Sequence, residues 1–316
     1  MTKLKGLLLT EGMHGMISQV EGLAKALDLD FIHEKIELNN FWKLIPPRVT
    51  PIYSFVFQNK INYDFNVVIS CGRKSVIPSL FLKKKFKDRI INIHIQDPKV
   101  SISNFDFVVA PEHDELMGEN VISSKGAIHY LRERELDENI SYLKPRINKE
   151  KIITLIVGGP NKYYDYKEKE IESIFYKIQQ NFVNNGYQLI FIPSMRTPKN
   201  VIEKAKGYFD NNQIIITDID KKAYLSSLGL ADHIVVTCDS TSMISEAAIT
   251  GKPIYVAHMP HVKNNNRFKK FFEMFKKLNI IRDLDDKVED WKYEKLNETD
   301  RISGYIKSKI KNYDIS

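Results

Sequence analysis

Val235-Val236-Thr237-Cys238-Asp239-Ser240-Thr241-Ser242-Met243-Ile244-Ser245-Glu246-Ala247 joins an apolar run to a helical pattern through a short polar turn. The run from residue 233 to 237 is the near-continuous apolar kind that a strand buried on both faces requires. Gly251-Lys252-Pro253 then stops the helix and opens a second apolar run, residues 254–257. Strand, helix and strand in this order form the unit of a parallel sheet. Two readings of the polar turn are open. One is an ordinary helix cap at Asp239 or Ser240. The other is an anion site, in which Asp239, Ser240, Thr241 and Ser242 offer hydroxyls and backbone N–H groups at a helix start. Glu246, one to two turns further on, would reach the same ligand from one face of the helix.

Working outward, the rhythm repeats. Residues 151–157, 188–192 and 213–217 read as strands, and 167–184, 201–209 and 222–228 as helices. Earlier in the chain, strands are expected at 4–10, 31–36, 65–70, 90–95 and 107–110, with helices at 17–27 and 76–84. Each strand leads into Gly, Pro or polar residues. A charged stretch, 131–150, separates the two halves and carries the expected junction. The fold class is therefore α/β, with two Rossmann-like parallel-sheet domains facing each other across a cleft. The expected N-terminal domain is 1–146 and the C-terminal domain 147–285. Residues 286–316 form a helical segment that caps the second domain or crosses back to the first.

Composition narrows the class. The chain has 316 residues, enough for two ordinary domains, and a formal net charge of +7. A diffuse lysine excess fits anionic small molecules or an anionic membrane surface as well as nucleic acid, and no nucleic-acid motif is present. Cys71 and Cys238 are the two cysteines; each follows an apolar run and reads as a buried free thiol in a reducing compartment. The short run Leu7-Leu8-Leu9 leads straight into Thr10-Glu11-Gly12. That is not a signal-peptide pattern, and no run is long enough to span a bilayer. A cytoplasmic location is expected, with room for peripheral contact on the inner face of the cytoplasmic membrane.

Four further loops carry chemistry. Gly12-Met13-His14-Gly15 follows the first strand. It lacks the spacing of a dinucleotide fingerprint and the Gly-Lys-Ser/Thr of a P-loop. His14 reads either as a general base or as a loop-stabilising histidine. Gly158-Gly159-Pro160-Asn161 is expected to present backbone N–H groups. Ser194-Met195-Arg196-Thr197-Pro198 puts a guanidinium fork and two hydroxyls, Ser194 and Thr197, at a helix start. Together with residues 239–246 in the same sheet, this composes a diphosphate clamp. Pro111-Glu112-His113-Asp114 has no companion ligands at metal spacing, so no metal site is expected. Two aromatic-basic stretches, 41–47 and 267–278, read as interfacial surfaces or as core aromatics edged by lysine.

These motifs, taken together, resemble the bacterial family related to the plant mitochondrial fission factor. The matching segments include Gly12, Gly15 and Gln19, then Gln96-Asp97-Pro98, and Phe105 through Asp114. They continue through Gly158-Gly159 and Ser194-Met195-Arg196-Thr197-Pro198 to Val236 through Val256. The resemblance covers nearly the whole chain. It implies the two-domain glycosyltransferase architecture called GT-B, with acceptor on the N-terminal and nucleotide-sugar donor on the C-terminal domain. By that likeness Ser194, Arg196 and the helix start Ser240–Ser242 hold a diphosphate. Glu246 contacts the donor ribose or sugar, and His14 serves the acceptor. No tightly bound cofactor or metal is implied; the expected acceptor, a cell-envelope lipid or polysaccharide, is the kind that would suit the aromatic-basic stretches. The chain departs from the family at Met16-Ile17-Ser18, where a more polar run is usual, and at Cys238, where alanine is usual. The alternative role is a non-catalytic, membrane-associated adaptor that retains the fold.

Overall fold

The structure is a computed structural model that describes residues 3–61, 63–285 and 287–310. Residues 286 and 311–316 of the expected C-terminal segment lie outside the described residues. The chain divides into two compact units: one takes in the chain up to Tyr130 and again from Asn297, the other is Leu131–Leu296.

In the first unit, strand β1 (Lys5–Thr10) is followed by helix α1 (His14–Ala26) and β2 (Asp30–Lys35). Then come β3 (Val67–Cys71), α2 (Val76–Phe86), β4 (Ile91–Ile95), β5 (Phe107–Pro111) and β6 (Val121–Ser124). The sheet order is β2-β1-β3-β4-β5-β6, with every neighbouring pair parallel. The period of two along β1 sorts its leucines. Leu8 packs into the layer of Val20, Leu23 and Ile69, whereas Leu7 and Leu9 pack with Val68, Ile77 and Leu82.

The second unit opens with α3 (Glu133–Leu143), β7 (Lys151–Val157), α4 (Glu168–Asn181), β8 (Tyr187–Pro193), α5 (Lys199–Tyr208) and β9 (Ile214–Ile215). It continues with α6 (Lys221–Leu230), β10 (His233–Thr237), α7 (Thr241–Ala247), β11 (Ile254–Ala257), α8 (Asn266–Lys277) and β12 (Ile281–Asp283). Its order is β12-β11-β10-β7-β8-β9, again all parallel.

The junction is corrected from the expected 146/147 to Tyr130/Leu131. The charged stretch hides an amphipathic helix, α3. Its Leu136 and Leu143 are buried, and Leu143 N–H donates to Ser226 Oγ of α6 at 3.1 Å. Gly229 on α6 permits the close approach: a Cβ there would lie 2.8 Å from Ile140 Cγ1.

The last helix, α9 (Glu298–Ile310), belongs to the first unit. Ile302 and Ile306 are fully buried in the layer around Leu8 and Val20. Its first turn is bonded to the chain after β6. Glu298 Oε2 accepts from Lys125 N–H at 2.8 Å. Thr299 Oγ1 donates to His129 O at 2.8 Å and accepts from His129 N–H at 3.1 Å. Among the described residues no helix is long and apolar enough to cross a membrane.

Candidate functional site

Both sheets grow first to one side of their opening strand and then to the other. The direction of winding reverses between β1 and β3 in the first unit, and between β7 and β10 in the second. The carboxyl ends of two such strands diverge into helices on opposite faces and leave a crevice, the preferred ligand position in open α/β sheets.

At the β7/β10 crevice everything converges on Asp239. Its side chain is fully buried. Oδ1 accepts from Thr237 Oγ1 at 2.7 Å and from the Tyr166 hydroxyl at 2.5 Å. Oδ2 accepts from Gly159 N–H at 3.1 Å and from Arg196 Nη2 at 2.6 Å. Burial, with the Asp239 charge second, raises the Tyr166 pKa, so its hydroxyl stays a donor. Arg196 also donates from Nη1 to Gly159 O at 2.9 Å. A guanidinium has five N–H donors; these bonds use two, and the side chain is 37% exposed. The loops after β7, β8 and β10 are thus tied to one carboxylate.

This wiring corrects several expectations. The Gly158 and Gly159 N–H groups are not presented to a ligand, because Gly158 donates to Thr237 Oγ1 at 2.8 Å and Gly159 to Asp239. The glycines are needed for space instead. A Cβ on Gly158 would lie 2.2 Å from Asp239 Oδ2, and one on Gly159 would lie 1.8 Å from Arg196 O. Asp239 is an internal tie rather than a ligand contact. Thr197 spends its hydroxyl on the carbonyls of Val157 and Gly158, both at 2.7 Å. Ser194 Oγ accepts from Arg196 N–H at 3.3 Å, so both hydroxyls shape the Arg196 turn. Pro198 is the N-cap of α5. Of the two candidate caps for α7, Ser240 holds the position and accepts from Met243 N–H at 3.3 Å.

Ser240, Thr241 and Ser242 stand half-buried at the start of α7. Glu246 is half-buried on the same helix, and its Oε2 accepts from the Tyr224 hydroxyl of α6 at 2.7 Å. Arg196, the first turn of α7 and Glu246 therefore remain the groups of this edge that can meet a ligand. Tyr166 and Tyr224 escaped the sequence reading, since nothing in their local pattern marks them as partners of Asp239 and Glu246. Cys238 beneath the loop is buried, and burial pushes its thiol up to about 12.

The β1/β3 crevice is wired more lightly. Glu11 accepts from Lys74 N–H at 3.0 Å and pairs with Lys74 Nζ at 3.0 Å. Gly12 has φ 85°, and its N–H donates to Thr10 Oγ1 at 3.0 Å. His14 is the exposed first residue of α1. Gln19 is buried: its Nε2 donates to Gly15 O within α1 at 3.0 Å, and its Oε1 accepts from Cys71 Sγ at the end of β3 at 3.9 Å.

Two cavities lie elsewhere. One of about 240 Å³ is lined by Arg48, Ile52 and Ile77 in the first unit. Another of about 460 Å³ lies against Lys151 and Tyr187 at the amino edge of the second sheet.

The sequence model of the mitochondrial fission ELM1 family matches residues 14–310. The chain belongs to this family. An uncharacterised protein of Rickettsia prowazekii, RP120, is 25% identical, over 92% of this chain and 95% of its own length. The mitochondrial fission protein ELM1 of Arabidopsis thaliana is also 25% identical, over 77% of this chain and 64% of the plant protein. Among solved structures, the UDP-GlcNAc 2-epimerase of Methanocaldococcus jannaschii aligns with TM-score 0.52 at 14% identity, over 96% of this chain and 99% of that one. The Neisseria meningitidis UDP-GlcNAc 2-epimerase bound to UDP-GlcNAc aligns with TM-score 0.52 at 12% identity, over 98% of this chain and all of the other, 100%. This ELM1-family protein therefore has the two-domain, GT-B-like α/β fold.

Proposed function

We propose that this ELM1-family protein is a nucleotide-sugar-dependent glycosyltransferase that takes its donor at the β7/β10 edge of the second unit. The observation that carries the proposal is the state of Arg196. It is held in place through Asp239 and Gly159 while its side chain stays 37% exposed. A preorganised cation beside the start of α7 suits a diphosphate, which gains from donors that need no reordering. The nucleotide sugar in the names of the two epimerases that share the fold supports the same ligand class. Glu246, oriented by Tyr224, is placed on α7 to accept from ribose or sugar hydroxyls.

In the proposed reaction an acceptor oxygen forms a bond to the anomeric carbon of the sugar. The bond from that carbon to the diphosphate oxygen breaks, and its electron pair leaves with the nucleoside diphosphate. His14 takes the acceptor's proton as general base. The charge developing on the leaving diphosphate is met by Arg196 and the first turn of α7. The proposed acceptor is a cell-envelope lipid or polysaccharide, and the reaction needs no tightly bound metal or cofactor. The second reading, a non-catalytic adaptor, is favoured by the name of the plant relative, which speaks of fission and not of sugar transfer.

A thermal-shift screen against UDP, GDP, CMP and their sugar conjugates tests this. One ligand class should raise the melting temperature, since ligand at 100 times its Kd adds about 2.7 kcal/mol. Glu246→Ala should remove most of that shift. His14→Ala should keep the shift and abolish transfer. Absence of a shift with every nucleotide would sink the donor site and leave the adaptor reading. Turnover of the sugar nucleotide without any acceptor would replace transfer by epimerisation or hydrolysis.

A further inference from the structure

The two aromatic-basic stretches of the sequence have opposite fates. On α8, Phe271 and Phe275 are fully buried and Phe268 packs edge-on against Tyr164 at 5.1 Å. That helix turns its aromatics inward and leaves lysines in water. The loop between β2 and β3 does the reverse. Leu38 and Phe57 close it with an antiparallel bridge, and Asn39 Nδ2 donates to Phe55 O at 2.5 Å. Arg73 pins its turn by donating to the carbonyls of Lys43 and Ile45 at 3.1 and 2.8 Å. The loop is therefore held in shape, yet Phe41, Leu44, Val49 and Phe55 stay 64, 80, 64 and 57% exposed. Phe41 meets Trp42 at 4.8 Å between ring centroids, Trp42 meets Phe55 at 6.1 Å, and Phe55 stacks on Tyr53 at 5.6 Å, so the four rings form one patch.

The charge within the loop has one sign. Residues 38–63 contain Lys43, Arg48 and Lys60 and no Asp or Glu. Lys84 Nζ of α2 lies 5.3 Å from the centroid of the Tyr53 ring. Of the flanking carboxylates, Asp64 is paired with Lys5 at 2.9 Å and Glu37 is exposed.

We propose that this loop, residues 39–57, is a docking surface for an anionic phospholipid bilayer. Aromatic and aliphatic tips enter the headgroup boundary while Lys43, Arg48, Lys60 and Lys84 meet the negative surface. A second copy of the chain is the poorer occupant, because a two-fold interface would set this basic rim against itself. The inference is independent of the nucleotide-sugar reading, and its test contains no nucleotide.

The test is flotation of the full chain with phosphatidylcholine vesicles, with and without phosphatidylglycerol. A Trp291→Phe variant leaves Trp42 as the sole tryptophan to report on the loop. The protein should float with the phosphatidylglycerol vesicles, and Trp42 emission should shift to the blue. Lys43→Glu/Arg48→Glu should lower the partition by about 10-fold or more, since each basic residue near such a surface counts about 5-fold. Leu44→Ser/Val49→Ser should lower it as well, with unchanged thermal melting. Equal binding to both vesicle types, or flotation with no Trp42 response, would overturn the proposal. So would a wild-type dimer that Leu44→Ser/Val49→Ser converts to monomer, which would make the patch an interface between copies.

Discussion

The crevice beside β7 and the crevice beside β1 occupy the same place in two sheets of the same winding, and they are built differently. Beside β7, four donors from four residues meet on the buried Asp239 carboxylate. Beside β1, the Glu11 carboxylate is tied to one residue, Lys74, and Met13 and His14 stand exposed. Topology places a crevice, and the hydrogen bonds laid across it decide whether its loops are fixed. A fixed edge suits a ligand recognised by charge geometry.

The sharpest way to break this contrast is to remove the two carboxylates. Asp239→Ala leaves Arg196, Gly159, Tyr166 and Thr237 without their shared acceptor, and should cost about 3–5 kcal/mol. Glu11→Ala frees a lysine that reaches water, and should cost about 1 kcal/mol or less. Urea unfolding followed by Trp291 for the second unit and Trp42 for the first separates the two effects. Equal losses would show that the wiring difference carries no energetic weight.

A smaller effect is expected from the glycines. Gly159→Ala would put a methyl against the Arg196 carbonyl, a backbone atom that cannot rotate away. Its cost should be about 3 kcal/mol, at the upper end for overpacking. Gly12→Ala meets only the flexible Lys35 side chain, nearest at 3.1 Å. Its cost is the positive φ, about 1 kcal/mol. Thermal melting of both variants, read on the same tryptophans, checks the order. A tolerated Gly159→Ala would mean that the strapped loops adjust.

The smallest effect near neutrality is a difference in pH response. Burial pushes His94 in the first unit down to about 3, while its Nδ1 lies 2.8 Å from Ser70 Oγ. The unfolded histidine titrates near 6.5, so between 6.5 and 3 the unfolded state binds the extra proton. The first unit should therefore lose stability as pH falls through that window. Lys252 in the second unit donates to the carbonyls of Leu228 and Gly229, near the end of α6, at 3.1 and 2.7 Å, and burial lowers it to about 8. Between 8 and 10.5 the unfolded chain again holds more protons, so this group makes the second unit more stable as pH rises. Unfolding midpoints against pH for the two tryptophans should diverge in these two windows. His94→Asn should flatten the acid limb of the first.

Periodicity carried most of the architecture. The apolar runs at 151–157, 188–192 and 233–237 stand out because buried parallel strands tolerate few polar residues. The helix α3 was hidden for the opposite reason: its buried leucines are diluted by charges on the solvent face, so the stretch resembled a linker. Strand β9 is only Ile214–Ile215, shorter than its pattern suggested. The loops after β7, β8 and β10 were legible as neighbours, but their hydrogen-bond partners were not. Gly158, Gly159, Ser194, Arg196, Thr197 and Asp239 gather at one edge, as their positions after parallel strands require. Whether each N–H or hydroxyl faces a ligand or a neighbouring loop depends on residues far along the chain.

By itself, the sequence determined the alternation of strand and helix, the parallel sheets and the loops that end at one edge, because those follow from local periodicity and turn chemistry. The tertiary structure alone decided that Asp239 is an internal tie and that the aromatics of α8 face inward while those of loop 39–57 face out. It also decided that the unit boundary falls at Tyr130. Asp239 and Gly159 are 80 residues apart, and Asp239 and Tyr166 are 73 apart. Hydrogen bonds across such separations are set by strand order and register, which no local pattern contains.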